Sequence, residues 1–217
     1  MIEQSAYASL IIQFTTGIID VFGLTIKVPE DKQIFKELLK IELGIQTIEF
    51  IYYLWMVKNI KNFENITPTR YFDWFITTPT MLITLMAYLD TSNNININNF
   101  IELNGELIFE VIVLNFMMLL FGLIGEFKGL DVKSSVTLGF IPFALYFQKI
   151  YSKYINEKSS FDQKFMYWFF VITWSLYGVA AYLPYESKNT MYNILDLFAK
   201  NFVGLFLVFI LWTNRIK

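Results

Sequence analysis

The sequence predicts an all-α membrane protein, a bundle of seven transmembrane helices with its N-terminus outside and its C-terminus inside. Three observations carry that prediction. Of the 217 residues, 55% are hydrophobic and only 17% are charged, where a soluble domain carries roughly a quarter. The charges cluster between long apolar runs. Seven of those runs reach the ~20 residues that a helix needs to cross a bilayer.

The composition also excludes classes of function. There is no cysteine and no histidine, so disulfides, thiolate metal sites and the usual zinc and general-base residues are ruled out. A net charge of −2 leaves no basic footprint for nucleic acid. No enzyme and no metal site is expected. The partners are membrane lipid and whatever ion or proton the bundle moves.

The spans fall near 7–26, 34–57, 68–89, 106–127, 134–154, 161–183 and 190–212, a single domain over 1–217. The first follows MIEQSAYAS, which lacks a basic region and a cleavage site, and serves as its own insertion signal. The second carries Glu42, Gln46, Glu49 and Tyr53 at i, i+4, i+7 and i+11, a polar stripe over about 16 Å of rise. The third carries Arg70, Asp73, Thr77, Thr78 and Thr84, with Asp73, Thr77 and Thr84 on one face. Before the fourth lies an Asn-rich segment, DTSNNININNFIELNG (90–105), read as a polar loop. The sixth brings Trp174 and Tyr177 to one side. Short loops join the remaining spans.

Orientation follows from lysine and arginine in the short loops. Lys27, Lys32, Lys36, Lys40, Lys149, Lys153, Lys158, Lys164, Arg215 and Lys217 fall on one side; Lys58, Lys61, Lys128, Lys133 and Lys188 fall on the other. The richer side is expected to face the cytoplasm.

Lys200 sits inside the seventh apolar run, where a lysine costs about 2.5–3.5 kcal/mol. It persists there only if it is paired, neutralised or used covalently. Asp196 is one helical turn away. An Arg70–Asp73 ion pair capping the third span would account for Arg70, but not for a second carboxylate and a lysine in the last span. Two aspartates and an arginine around one lysine suit a cation kept charged by counter-ions. A protonated Schiff base on lysine is such a cation.

These residues carry a resemblance. RYFDWFITTPTMLITL (70–85) resembles the third-helix signature of the microbial (type I) rhodopsins, and LDLFAKNFVGL (195–205) resembles their retinal-binding signature. WSLYG (174–178) and MMLLFGLIG (117–125) fit the same pattern. The resemblance implies covalently bound retinal, all-trans in the dark, as a Schiff base on Lys200. It implies Asp73 as counter-ion and proton acceptor, Asp196 as the second, Arg70 organising the site, and Thr77 hydrogen-bonded to Asp73. Trp74, Thr78, Asn115, Met118, Trp174, Tyr177 and Tyr53 would line the retinal pocket, with Tyr53 and Tyr177 also holding Asp196. Gly178 stands where the family often has proline. Ala181 or Tyr182 stands where an aromatic often closes the pocket.

An outward proton pump of this family carries a carboxylate donor where this chain has Thr84. The helix-two stripe suggests instead a light-gated cation channel, with Glu42, Gln46, Glu49 and Asn201 as ion path and gate. The Glu42/Glu49 pair with Asn201 resembles the channel-forming group of viral rhodopsins, which would place the protein in a host cell membrane. The alternative for Glu42 is a solvated residue near the interface. The other readings are a slow light-driven outward proton pump and a photosensor acting through a membrane partner. Homo-oligomers are common in that family, and the sequence fixes no number.

Overall fold

The structure, a computed structural model, describes residues 1–90, 96–127 and 129–216. Part of the expected 90–105 loop, together with Lys128 and Lys217 of the charge count, lies outside these residues. The described chain forms α1 (Ile2–Thr25), α2 (Gln33–Asn59), α3 (Arg70–Leu89), α4 (Ile97–Glu126), α5 (Val132–Tyr154), α6 (Phe161–Ala181), α7 (Tyr185–Asp196) and α8 (Phe202–Thr213). A π-helical turn, Leu197–Asn201, joins α7 and α8 into one seventh rod. Among the described residues there is no strand.

The bundle is polar inside and apolar outside along several of its helices. On α1 the buried positions include Ser9, Gln13, Thr16 and Asp20, while Ile11 and Phe14 stand 69% and 61% exposed. Phe72 of α3 is 79% exposed, yet Arg70 beside it is fully buried. Such an arrangement is stable when the solvent is lipid, because apolar side chains then lose nothing by facing outward. Among the described residues, three helices are long and apolar enough to cross a membrane by length and composition alone: Ile2–Thr25, Ile97–Glu126 and the rod Tyr185–Thr213. The other spans dilute their hydropathy with residues that only the assembled bundle hides. α2, for example, buries Glu42, Gln46 and Glu49.

Three local features differ from the sequence expectation. α4 begins at Ile97, not near 106. Asn96 caps it by accepting a hydrogen bond from the Asn99 N–H at 3.0 Å, the ordinary work of an N-cap asparagine. Asn104, inside the supposed loop, accepts from the Tyr154 hydroxyl at 3.0 Å, so the polar segment continues the helix. The seventh rod begins at Tyr185, directly after Pro184. Lys188 is therefore a helical residue, 7% exposed and paired with Glu126 at 2.7 Å, and not a free loop charge. The third feature is the π turn around Lys200, where sequence periodicity reads an unbroken α-helix; π-bulges of this kind gather at functional sites.

α3 contains Pro79, which removes one backbone donor. Around it Thr77, Thr78 and Thr80 each donate to the carbonyl four residues back, at 3.0, 2.8 and 2.8 Å. The helix tolerates proline where side-chain hydroxyls and packing keep backbone groups satisfied. α6 starts with a complete capping box, in which Ser160 accepts from the Gln163 N–H and Gln163 accepts from the Ser160 N–H. Ser160→Ala is expected to destabilise the folded protein by about 1 kcal/mol, read as a lower midpoint in thermal unfolding of the detergent-solubilised chain.

Candidate functional site

Lys200 is 2% exposed at the middle of the bundle, where the π turn places it among three carboxylates. Its Nζ pairs with Asp73 Oδ2 of α3. It lies 3.8 Å from Glu49 Oε1 of α2 and 3.9 Å from Asp196 Oδ1 one turn earlier. The expected neighbours Asp73 and Asp196 are both present. Glu49, expected in the ion path along α2, is brought against the lysine as well, and neither of its oxygens has a hydrogen-bond partner among the described residues.

Asp196 is held from three sides. Tyr53 and Tyr177 each donate to it at 2.7 Å, one to each carboxylate oxygen. Arg70 Nη1 lies 3.4 Å from Asp196 Oδ2. Arg70 therefore pairs across the bundle with Asp196, and the simple Arg70–Asp73 pair along α3 does not form; Asp73 is taken by Lys200. Thr77 donates to the backbone carbonyl of Asp73 at 3.0 Å, and its hydroxyl lies beside the Asp73 carboxylate as well. With two cations and three carboxyls, the cluster is neutral only when the carboxyls together retain one proton.

Toward one end of the bundle the guanidinium is fully sealed. Arg70 Nε donates to Asn189 Oδ1 at 3.1 Å and Nη2 to Asn193 Oδ1 at 2.5 Å. Asn193 in turn donates to Ser5 Oγ at 2.8 Å and accepts from Tyr53 at 3.1 Å, which ties α1, α2 and α7 to the arginine. Toward the other end, where Lys27 leaves α1, polar side chains continue. Thr16 donates to Asn201 Oδ1 at 2.5 Å, Gln46 to Asp20, and Thr84 to Glu42 Oε1 at 2.5 Å. Glu42 is fully buried, which overturns the reading of a solvated residue near the interface. The chain turns this part of α2 inward against α3.

Three helices thus carry the same spacing of buried polar residues: 9, 13, 16 and 20 on α1; 42, 46, 49 and 53 on α2; and 189, 193, 196 and 200 on the seventh rod. Each set falls at i, i+4, i+7 and i+11, along one helical face. Sequence reasoning found the second set and half of the third. It missed Ser9, Gln13, Thr16, Asp20, Asn189 and Asn193, although the repeated spacing was the signal that marks them.

On the side of Lys200 facing α3 to α6 lies a cavity of about 790 Å³, part of it open to the surroundings. Lys200, Trp74, Thr78, Met118, Trp174 and Tyr177 line it, as expected from the sequence, and so do Tyr71, Phe140, Phe143, Gly178, Ala181 and Tyr192. Two expected lining residues stand behind the wall. Asn115 donates to the Thr78 hydroxyl at 2.8 Å, and Tyr53 is turned to Asp196. Trp74 packs edge-on against Tyr177 and Tyr192 at 5.5 and 5.3 Å. At Gly178 an added Cβ would lie 2.5 Å from the Phe140 ring, so Phe140 from α5 fills the space that a larger residue would take there. Ala181 lines the cavity while Tyr182 is 45% exposed.

The comparisons agree with this geometry. Residues 1–214 match the family described as bacteriorhodopsin-like protein. Among solved structures, the viral rhodopsin OLPVRII superposes with a TM-score of 0.83 at 25% identity, covering 98% of each chain. A blue light-absorbing proteorhodopsin from Med12 gives 0.76 at 19% identity, over 98% of this chain and 96% of its own. The thermophilic rhodopsin from Rubrobacter xylanophilus gives 0.77 at 18% identity, over 99% and 96%. No curated protein matches.

Asn193→Leu removes a buried partner of Arg70 and is expected to cost about 1–3 kcal/mol of stability, the penalty for a buried donor left unpaired. Chemical denaturation of the purified protein measures it.

Proposed function

The chain belongs to the bacteriorhodopsin-like family, and from that premise we propose that it is a light-gated cation channel. Membership makes it an integral membrane protein that binds retinal covalently, and members move ions or sense light. The residues fit that group. A buried primary amine ends a cavity walled by Trp74, Trp174, Tyr177 and Met118, which suits a long apolar ligand with one reactive end. In this reading Lys200 carries retinal as an imine, and the group supplies light absorption and a change of shape.

The chain's own residues do the rest. Asp73 Oδ2, already paired with Lys200 Nζ, takes a proton that leaves that nitrogen. Asp196 stays in the grip of Tyr53, Tyr177 and Arg70, and keeps the guanidinium in place. When Asp73 gains that proton, the nitrogen and the carboxylate lose their charges together, and Glu49 and Asn201 beside Lys200 are released to rearrange. Arg70 with Asn189 and Asn193 seals the path at one end, proposed as the outer one. Glu42 with Thr84 seals the other.

The observation that carries the channel reading is a file of buried polar atoms without protein partners. Gln13, Glu49, Asn201, Gln46, Asp20 and Glu42 each have at least one. Each such atom costs about 1–3 kcal/mol if it remains unsolvated. A row of them along α1, α2 and the seventh rod suits water and cations more than a sealed core. One observation favours a second reading, the slow outward proton pump. Glu42 of α2 bonds to Thr84, so a carboxyl from the neighbouring helix stands where α3 has none.

Photocurrents that reverse sign with voltage are expected from the full-length protein in whole-cell recordings; a fixed direction at every voltage favours the pump. Glu42→Gln separates the two further. In a channel it alters ion selectivity with photocycle recovery little changed, whereas in a pump it slows recovery by about 10²-fold or more, the typical loss of a proton-transfer group. Lys200→Arg is expected to yield a folded protein that takes up no retinal colour.

A further inference from the structure

Asp20 enters the reading above only as one member of the polar file, and it is fully buried. Gln46 Nε2 donates to its Oδ2. Its other oxygen and the Gln46 Oε1 are both buried and have no protein partner. Gly204 of α8 borders the pair: an added Cβ there would run into Asp20 Oδ2 and lie 2.6 Å from Gln46 Nε2. Gly17 borders the amide oxygen, 3.8 Å from its own Cβ position. Three helices therefore meet at this pair, with the carboxylate and the amide packed against the bare backbone of Gly204 and two oxygens left without a partner among the described residues.

The charge around these oxygens is unbalanced. Among the described residues, the buried cations Lys200 and Arg70 pair with Asp73, Glu49 and Asp196, and Lys188 pairs with Glu126. None pairs with Asp20 or with Glu42. Buried carboxyls without a basic partner hold a proton or a cation. Oxygen donors suit hard cations, but a divalent ion asks for six or more ligands or strict octahedral geometry. One carboxylate oxygen and one amide oxygen match a monovalent cation that keeps part of its water.

We propose that Asp20 and Gln46, packed against Gly204, form a cation-binding site between Lys200 and the Lys27 end, taking a partly hydrated monovalent cation such as Na⁺ at their two free oxygens. The proposal rests on the channel reading for its role in transport, though not for the binding itself. Gly204, having no side chain, lets the carboxylate and the amide come together there, and Asp20 supplies the charge.

The test uses the full-length protein in lipid nanodiscs, and in parallel in whole-cell recordings. Under illumination, replacing N-methyl-D-glucamine with Na⁺ is expected to shift a carboxylate infrared band that is absent in Asp20→Asn and retained in Asp20→Glu. In recordings, Asp20→Asn lowers Na⁺ permeability relative to protons about tenfold, the lower end of what a charged contact contributes, and Asp20→Glu restores it. A band missing from the wild type or persisting in Asp20→Asn overturns the site, as does an unchanged permeability ratio in reversing currents. A band lost in Asp20→Asn alongside wild-type currents of one fixed direction upholds the site and sinks the channel reading. Should Asp20→Asn fail to fold, Gly204→Ala thrusts a methyl against the same carboxylate. Loss of the band then supports the site, and an unaltered band overturns it.

Discussion

The ion cluster around Lys200 is the constraint to which the rest of the bundle answers. A lone ammonium in an apolar medium is expensive, and Asp73 alone would leave Arg70 and Asp196 unmatched. The chain resolves this by splitting the pairs across helices: Lys200 with Asp73, and Arg70 with Asp196. Each pair then bridges α3 and the seventh rod, so the electrostatics also fix how those helices sit. The π turn at Leu197–Asn201 belongs to the same solution, since it sets where Lys200 and Asn201 leave the backbone.

From that cluster the interior divides into regions of different chemistry. Toward the Arg70 end, amide side chains of Asn189 and Asn193 satisfy the guanidinium almost completely, and the packing is closed. Toward the Lys27 end, carboxyls, amides and hydroxyls bond in pairs and leave atoms over. On the cavity side, aromatic rings take over and polar groups are few. A tightly satisfied seal, a loosely satisfied file and an apolar slot are three environments within one small bundle. Their separation lets a change of charge at Lys200 act on the file without unfolding the slot.

Much of this was legible in the chain. The seven spans follow from apolar length, and the cluster from a lysine and aspartates that have no business in lipid unless they meet. The Glu42–Gln46–Glu49–Tyr53 stripe was visible because glutamates stand out against apolar neighbours. The matching stripe on α1 was passed over because Ser9, Gln13 and Thr16 are mild residues, unremarkable in a sequence one helix at a time. α4 was read too short because asparagines suggest turns, whereas here Asn96 caps the helix and Asn104 is bonded within it.

The sequence by itself determined the class of molecule, the number of spans and which of them carry buried charge, because transfer free energies depend on composition and periodicity alone. Only the tertiary structure decided who pairs with whom. Arg70 could neutralise Asp73 along one helix, yet it reaches Asp196. Glu49 was placed in a stripe along α2, and packing sets it 3.8 Å from the lysine. Glu42 could face solvent, yet it is buried against Thr84. Lys200 was conspicuous from the start as a charge in an apolar run. Its partners were not, because helical spacing places a residue on a face, while the contacts across faces depend on how the helices pack.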